Sequence, residues 1–169
     1  MKLVLLSLLL MFTLSAVPTI AQKSVMEAVV TSKDHSEFLA AVKAAGLVEM
    51  LRYKGPFTVF APTNRAFDKL PSSTLENLLK PENKSKLTKV MIYHIIAGNL
   101  DLAAVMKAIS DGNGQTIVQT MNGAILTATL QGTKIVLTDT KGMRAVVTAT
   151  DMKAGNGMIH SIDAVLLPM

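Results

Sequence analysis

Three residues within four positions, His160, Ser161 and Asp163, supply the residue types of a hydrolase triad: a base, a nucleophile and an acid that orients the base. Their spacing works against that chemistry. In the apolar run MIHSIDAVLLP an extended chain turns His160 and Ser161 to opposite faces, so the imidazole does not reach the hydroxyl, and no GxSxG elbow occurs elsewhere. No catalytic residue is assigned, and the expectation is a protein that is not an enzyme. The histidines His35, His94 and His160 are scattered without HxH or HExxH spacing, and the chain has no cysteine, so no metal site is assigned. The GNG triplets at 112–114 and 155–157 lack the Lys-Ser or Lys-Thr of a phosphate loop and read as turns. No cofactor is implied.

Two residue pairs are candidates for binding through a family resemblance carried by the blocks at 55–67, 91–98 and 156–168, and their own surroundings leave their role open. Tyr93-His94 is flanked by Met91, Ile92, Ile95 and Ile96. The pair is either a surface contact or a buried pair whose hydroxyl and imidazole find partners inside, with Thr63, Asn64 or a backbone carbonyl expected for His94. Asp151-Met152, in TATDMKAGNG, sets a carboxylate beside an apolar side chain on a turn. That suits a protein contact, and equally a turn that caps a strand.

The elements that must position these residues change in character along the chain. DHSEFLAAVKAAGL puts Phe38, Leu39, Val42 and Ala45 on one helical face, with Asp34 and Glu37 spaced as a capping box and Gly46 as the C-terminal cap. A short helical piece from Val48 to Leu51 ends at Lys54-Gly55-Pro56, and FTVF follows as a strand that Pro62 ends. Ser73 and Glu76 are spaced as a second capping box, opening a helix that Pro81 closes. Leu87, Val90 and Met91 mark a further helix, and Asp101 caps one more carrying Leu102, Val105 and Ile109. Beyond Gly114 come β-rich runs, TIVQTM, AILTATL, KIVLTD and RAVVTAT, separated by Asn122-Gly123, Gln131-Gly132 and Lys141-Gly142. These read as successive antiparallel strands, and MIHSIDAVLLP as a final apolar strand pair. A helical first half joined to a β-rich second half without a long linker reads as one α+β domain.

Residues 1–21 have the three parts of a secretory signal: Lys2, an apolar run from Leu3 to Leu14, and Thr19-x-Ala21 at the exit. The run falls short of the ~20 apolar residues that span a bilayer. Cleavage after Ala21 is expected, leaving residues 22–169 as a single domain outside the cytoplasm, extracellular or periplasmic, with no stable membrane insertion. The formal charge of +5 is mildly basic, and its densest group is Lys80, Lys84, Lys86 and Lys89. No aromatic residues interleave with these lysines, so they read as a solvated face and no nucleic-acid partner is implied. Nine methionines lie beyond residue 21. They fill a core, or line an adaptable apolar surface.

Three blocks carry a family likeness: GPFTVFAPTNRAF at 55–67, MIYHIIAG at 91–98 and NGMIHSIDAVLLP at 156–168. In this order and at these separations they resemble the first box, the tyrosine–histidine motif and the second box of fasciclin domains, and AAVKAAGL and LLKPENKSKLT extend the likeness over nearly the whole of residues 22–169. The resemblance implies an α+β fold with a wedge-like β-sandwich and several helices packed beside it, the two boxes pairing as neighbouring central strands. It makes Thr63, Asn64, His160 and Asp163 structural positions of the motif. It also implies a non-catalytic adhesion or matrix module. Tyr93-His94 matches a motif implicated in integrin-dependent adhesion in animal members, and Asp151-Met152 stands where such members carry an Asp-Ile pair. The expected partner is a protein or polysaccharide at a cell surface or matrix, with self-association as the means by which one module bridges two surfaces. The methionine content keeps a second class open, a soluble binding protein for a small hydrophobic ligand.

Overall fold

Alternating apolar residues in FTVFAP and GMIHSI produce the two strands around which the chain is organised. The computed structural model describes residues 22–168, so the signal-peptide reading of 1–21 lies outside the described residues. Strands β1 (Phe57–Pro62) and β7 (Gly157–Ile162) pair in parallel, Phe57 opposite Gly157 through Pro62 opposite Ile162, and every residue of both is buried. A pair buried on both faces needs cover on each side. Phe57, Val59 and Ala61 enter one apolar cluster while Phe60 enters another, as the two-residue period of a strand requires. At Gly157 the packing leaves no room for a side chain. A Cβ there would run into the Phe57 carbonyl and press on Val25 Cγ2.

The first cluster lies under helices α1 (Val25–Thr31), α2 (Ser36–Ala45), α3 (Val48–Tyr53), α4 (Asn64–Asp68), α5 (Ser72–Leu79) and α6 (Lys84–Tyr93), and includes Phe38, Val42, Leu51 and Met91. The second fills the β-rich half, where Tyr93, Val105, Ile109, Leu126, Leu137 and Ile162 meet. There the sheet runs in the order β2-β1-β7-β6-β5-β4-β3, with β2 (Ile95–Ala97), β3 (Gln115–Gln119), β4 (Ile125–Gln131), β5 (Lys134–Thr138) and β6 (Arg144–Ala154). All neighbours are antiparallel except β1 and β7. Two register shifts in β6, around Ala149, allow this one long strand to serve β5 at one end and β7 at the other. Helix α7 (Leu102–Asp111) packs on β3 and β4, and the Met121 N–H donates to the Ile95 carbonyl at 2.8 Å, bringing the end of β3 to β2 so that the sheet is nearly closed.

The α+β architecture and the pairing of the two boxes are those expected from the sequence, and so are the left-handed Gly46 cap (φ 76°) and the Asp101 cap, whose Oδ1 accepts from Ala104 N–H at 2.7 Å. Several local expectations are corrected. No capping box forms at Asp34 and Glu37, because Lys33–His35 is a 3₁₀ turn and α2 begins at Ser36. Its first turn is capped across the fold instead: Asn64 Oδ1 accepts from Glu37 N–H at 3.0 Å, and Asn64 Nδ2 donates to the Lys33 carbonyl at 3.0 Å. Ser73 caps nothing, since α5 begins at Ser72 after Pro71. The box that does form is Ser24 with Glu27. Nor is the C-terminal run a strand pair: the chain leaves the sheet after Ile162, and Leu166 N–H goes to a histidine ring instead of a neighbouring strand.

Candidate functional site

Each of the residues that the sequence offers for chemistry is placed by a particular element, and most are turned inward. His94 caps the C-terminus of α6, where the last carbonyls of a helix lack intrahelical donors. Its Nδ1 lies 2.8 Å from the Val90 carbonyl and its Nε2 accepts from Leu166 N–H at 3.1 Å. This arrangement needs the neutral ring, protonated on Nδ1. Complete burial pushes its pKa down to about 4, against the opposing pull of the Val90 carbonyl. Thr63 and Asn64 are not its partners. Tyr93 beside it is equally buried, and its hydroxyl donates to the Ile125 carbonyl at 3.3 Å. Burial first and the Asp139 carboxylate second raise the Tyr93 pKa, with the Thr140 backbone N–H acting the other way. Both side chains are 0% exposed, so the contact reading of Tyr93 and His94 is corrected: they fasten α6 to the β4 edge and to the C-terminal segment.

His160 is a second internal fastener. Its Nδ1 accepts from Asp151 N–H at 3.2 Å and its Nε2 lies 2.7 Å from the Leu100 carbonyl, which puts the proton on Nε2. With Nδ1 occupied in this way, the Asp151 carboxylate at 3.9 Å is a near neighbour and not a hydrogen-bonded ion pair. The ring also stacks on Phe60, centroids 5.5 Å apart. Asp163 gives one oxygen to Val146 N–H at 2.7 Å and the other to Lys69 Nζ at 3.1 Å.

Ser161 does have a histidine on its hydroxyl, but it is His35, at 3.0 Å from Nε2, a contact across 126 residues that sequence spacing does not reveal. The other ring nitrogen meets Ser32 Oγ at 2.7 Å. Ser161 is 4% exposed and His35 3%, so no substrate carbonyl reaches this pair. Burial lowers the His35 pKa, outweighing the Asp34 carboxylate and the Ala61 carbonyl. The pair joins the 3₁₀ turn before α2 to β7. Asn156 is a hub that residue spacing did not single out: Oδ1 accepts from Val25 N–H at 2.7 Å, and Nδ2 donates to the carbonyls of Leu51 at 2.9 Å and Lys54 at 2.6 Å. An Asn just before the Gly that opens β7 is the only signal that could have found it.

Met152 is exposed, and Asp151 beside it is partly so. Asp151 holds a left-handed backbone (φ 58°), uncommon outside glycine, at the irregular part of β6. One carboxylate oxygen accepts from Leu102 N–H at 2.8 Å and so helps cap α7, while 37% of the side chain stays exposed. Two further concavities open on the surface. One of about 540 Å³ is lined entirely by polar side chains, among them Thr63, Asn64 and Asp163. Another of about 370 Å³, between β2, α7 and β3, is largely apolar. Among the described residues no group of three or more His, Asp or Glu side chains is disposed to hold a metal ion.

Residues 33–168 match the Fasciclin domain family. Protein sll1483 of Synechocystis sp. is 42% identical over 154 residues, covering 91% of this chain and 78% of that protein. Immunogenic protein MPB70 of Mycobacterium bovis is 38% identical over 122 residues, 72% of this chain and 54% of that one, and human periostin is 32% identical over 86% of this chain but only 16% of its own length. Among solved structures, the FAS1 domain pair from the insect cell adhesion molecule Fasciclin I superposes with a TM-score of 0.77 at 18% identity, over 88% of this chain and 52% of that one, which is a likeness of fold. Two boxes paired in parallel at the centre of the sheet, a tyrosine–histidine pair buried beside them, and a match running from Lys33 to Pro168 have one account: the chain belongs to the fasciclin domain family.

Proposed function

We propose that this protein is exported and works as a non-catalytic adhesion or surface-interaction module, with Asp151 and Met152 in its contact face. The observation that carries this reading is a division of labour. Tyr93, His94, His35, His160 and Ser161 are buried and hydrogen-bonded within the fold, whereas Met152 is exposed and the adjacent Asp151 carboxylate, which helps cap α7, stays partly open to solvent. A partly exposed thioether beside a charge is a fitting anchor for a protein or polysaccharide surface. Family membership supports the reading: the solved relative is described as a cell adhesion molecule. Among the described residues no helix is long and apolar enough to cross a membrane. Bridging two surfaces further requires two faces or self-association.

The test is binding of the purified protein to cell surfaces or matrix, compared with an Asp151→Asn, Met152→Ala variant. Asn keeps an acceptor for Leu102 N–H while removing the charge, so the variant should fold. Loss of binding by about tenfold, the size of a modest hot spot, is the expected result. Unchanged binding removes Asp151 and Met152 from the contact face.

The apolar concavity favours a second reading, binding of a small hydrophobic molecule. Ile96, Leu100, Ala104, Val105, Ala108 and Ile117 line it, and Ile117 is 66% exposed. Native mass spectrometry of the protein as purified tests this: a retained apolar compound lost on Ala108→Gln, which fills the groove with a polar side chain, is the outcome it requires.

A further inference from the structure

We propose that the polar cleft beside α4 is a binding site for an acidic saccharide, a uronate-bearing chain whose carboxylate is held by Arg65 and whose hydroxyls are read by Asp34, Thr63 and Thr148. The inference rests on the surface-module reading and names the chemistry of its partner. Three separate segments build the cleft. Asp34 comes from the 3₁₀ turn before α2, Thr63, Arg65 and Lys69 from α4 and its two ends, and Thr148 and Asp163 from β6 and the exit of β7. Its volume, about 540 Å³, lies within the roughly 300–1,000 Å³ of small-molecule sites.

Every residue that lines the cleft carries a polar group, with the threonine methyls and the Arg65 and Lys69 stems supplying apolar surface between them, so the site suits a ligand that is polar at its edges and apolar on its ring faces. What the cleft offers is donors and acceptors in alternation. Among the described residues Arg65 has no ion pair or side-chain hydrogen bond, and its exposed guanidinium presents a fork that matches a carboxylate. Lys69 gives one ammonium hydrogen to Asp163 and keeps the others. The Thr63 hydroxyl stands at the N-cap of α4 yet makes no cap bond, which leaves it free to donate or accept. Thr148 Oγ1 donates to the Ser161 carbonyl at 3.3 Å and retains its lone pairs. Asp34, exposed and without a hydrogen-bond partner among the described residues, is an acceptor for hydroxyl protons.

This mixture selects among anions. Free inorganic sulfate would meet the Asp34 and Asp163 carboxylates with no hydroxyl proton to give them. A uronate brings one negative charge for Arg65 and several hydroxyls for the carboxylates and threonines. The site is held from below, since Asn64 ties α4 to the Lys33–Glu37 segment and Asp163 is fixed by Val146 N–H. The backbone frame of the cleft and the Asp163 carboxylate are therefore set before any ligand arrives, while the exposed Arg65 and Asp34 side chains are ordered on binding.

Titration of the full protein with oligogalacturonate, with dextran oligomers as the uncharged comparison, tests the inference by calorimetry or by amide chemical shifts. Oligogalacturonate should bind and dextran should not. Arg65→Ala should weaken binding about tenfold, and Arg65→Lys, which keeps the charge and loses the fork, by an intermediate factor. A Lys86→Ala, Lys89→Ala variant, whose lysines lie on α6 away from the cleft lining, should stay within about twofold. Equal binding of dextran, no binding of oligogalacturonate, or an equal loss on removing the α6 lysines each overturns the inference. If oligogalacturonate fails to bind while Asp151 and Met152 still govern surface attachment, the saccharide site falls and the module reading stands. The reverse result, binding of oligogalacturonate by a protein that attaches to no surface, sinks the module reading alone.

Discussion

Protonating His94 in the folded protein is costly, and the cost is legible in its two bonds. The neutral ring serves Val90 and Leu166 at once, and a second ring proton would confront the Leu166 N–H inside an apolar cluster. The folded pKa of about 4 lies below the ordinary value of 6.5, so as pH falls the unfolded chain takes up the proton first. The stability that His94 contributes is therefore complete above pH 6.5, declines as pH falls from there to about 4, and levels below that. At about 1.36 kcal/mol per pH unit of separation, the window amounts to about 3 kcal/mol, a large part of the 5–15 kcal/mol that holds a domain together. Urea unfolding followed by far-UV circular dichroism, repeated between about pH 7 and pH 4, measures it. His94→Gln should cost about 2 kcal/mol near neutral pH through imperfect bonds to Val90 and Leu166. It should also flatten the pH dependence, so the wild-type curve meets the variant's at about pH 5 and lies about 1 kcal/mol below it by pH 4. The lowered His35 pKa adds a loss in the same direction and remains in both proteins, so the difference between the curves isolates His94. Parallel curves, the variant keeping the full wild-type slope between pH 6.5 and 4, would refute the reasoning.

Two further substitutions probe the fasteners around the site. Asn156→Ala strips partners from Val25 N–H and from the Leu51 and Lys54 carbonyls together, so a loss of about 2–4 kcal/mol in urea unfolding is expected, and a loss under 1 kcal/mol would show that water replaces the amide. Tyr93→Phe removes a single 3.3 Å bond while keeping the ring in its cluster, so it should cost about 1 kcal/mol and leave surface binding unchanged once folding is matched; reduced binding by a folded variant would restore Tyr93 as a contact.

Much of the fold was legible because it is written in local pattern. The two-residue alternation of FTVF and the Gly-punctuated β runs give β1 and β3 to β6, and Gly46 and Asp101 mark helix ends by residue type alone. What was not legible is what depends on distance. The Asp34 and Ser73 boxes have the right spacing, yet α2 is capped by Asn64 from 27 residues away and α5 by no side chain at all. Strand β2 hides in IIA after a helix and becomes a strand only by pairing with β1. The candidate site divides in the same way. Asp151 and Met152 could be picked out on the family pattern, and the structure leaves Met152 exposed and Asp151 partly so. The burial of Tyr93 and His94 follows from Leu166 and Ile125 closing over them, which no spacing within MIYHIIAG encodes. Ser161 shows the limit most plainly, since the neighbouring His160 serves Leu100 and the histidine on its hydroxyl comes from the far end of the domain.

Attachment of cells that lack this protein tests the central claim most directly. A deletion strain complemented with the wild-type chain or with the Asp151→Asn, Met152→Ala chain, matched for exported protein, is scored for adherence to surfaces and to one another. The account predicts that the deletion attaches poorly, that the wild-type chain restores attachment, and that the double variant does not. A deletion strain that attaches normally, or full rescue by the double variant, would contradict it.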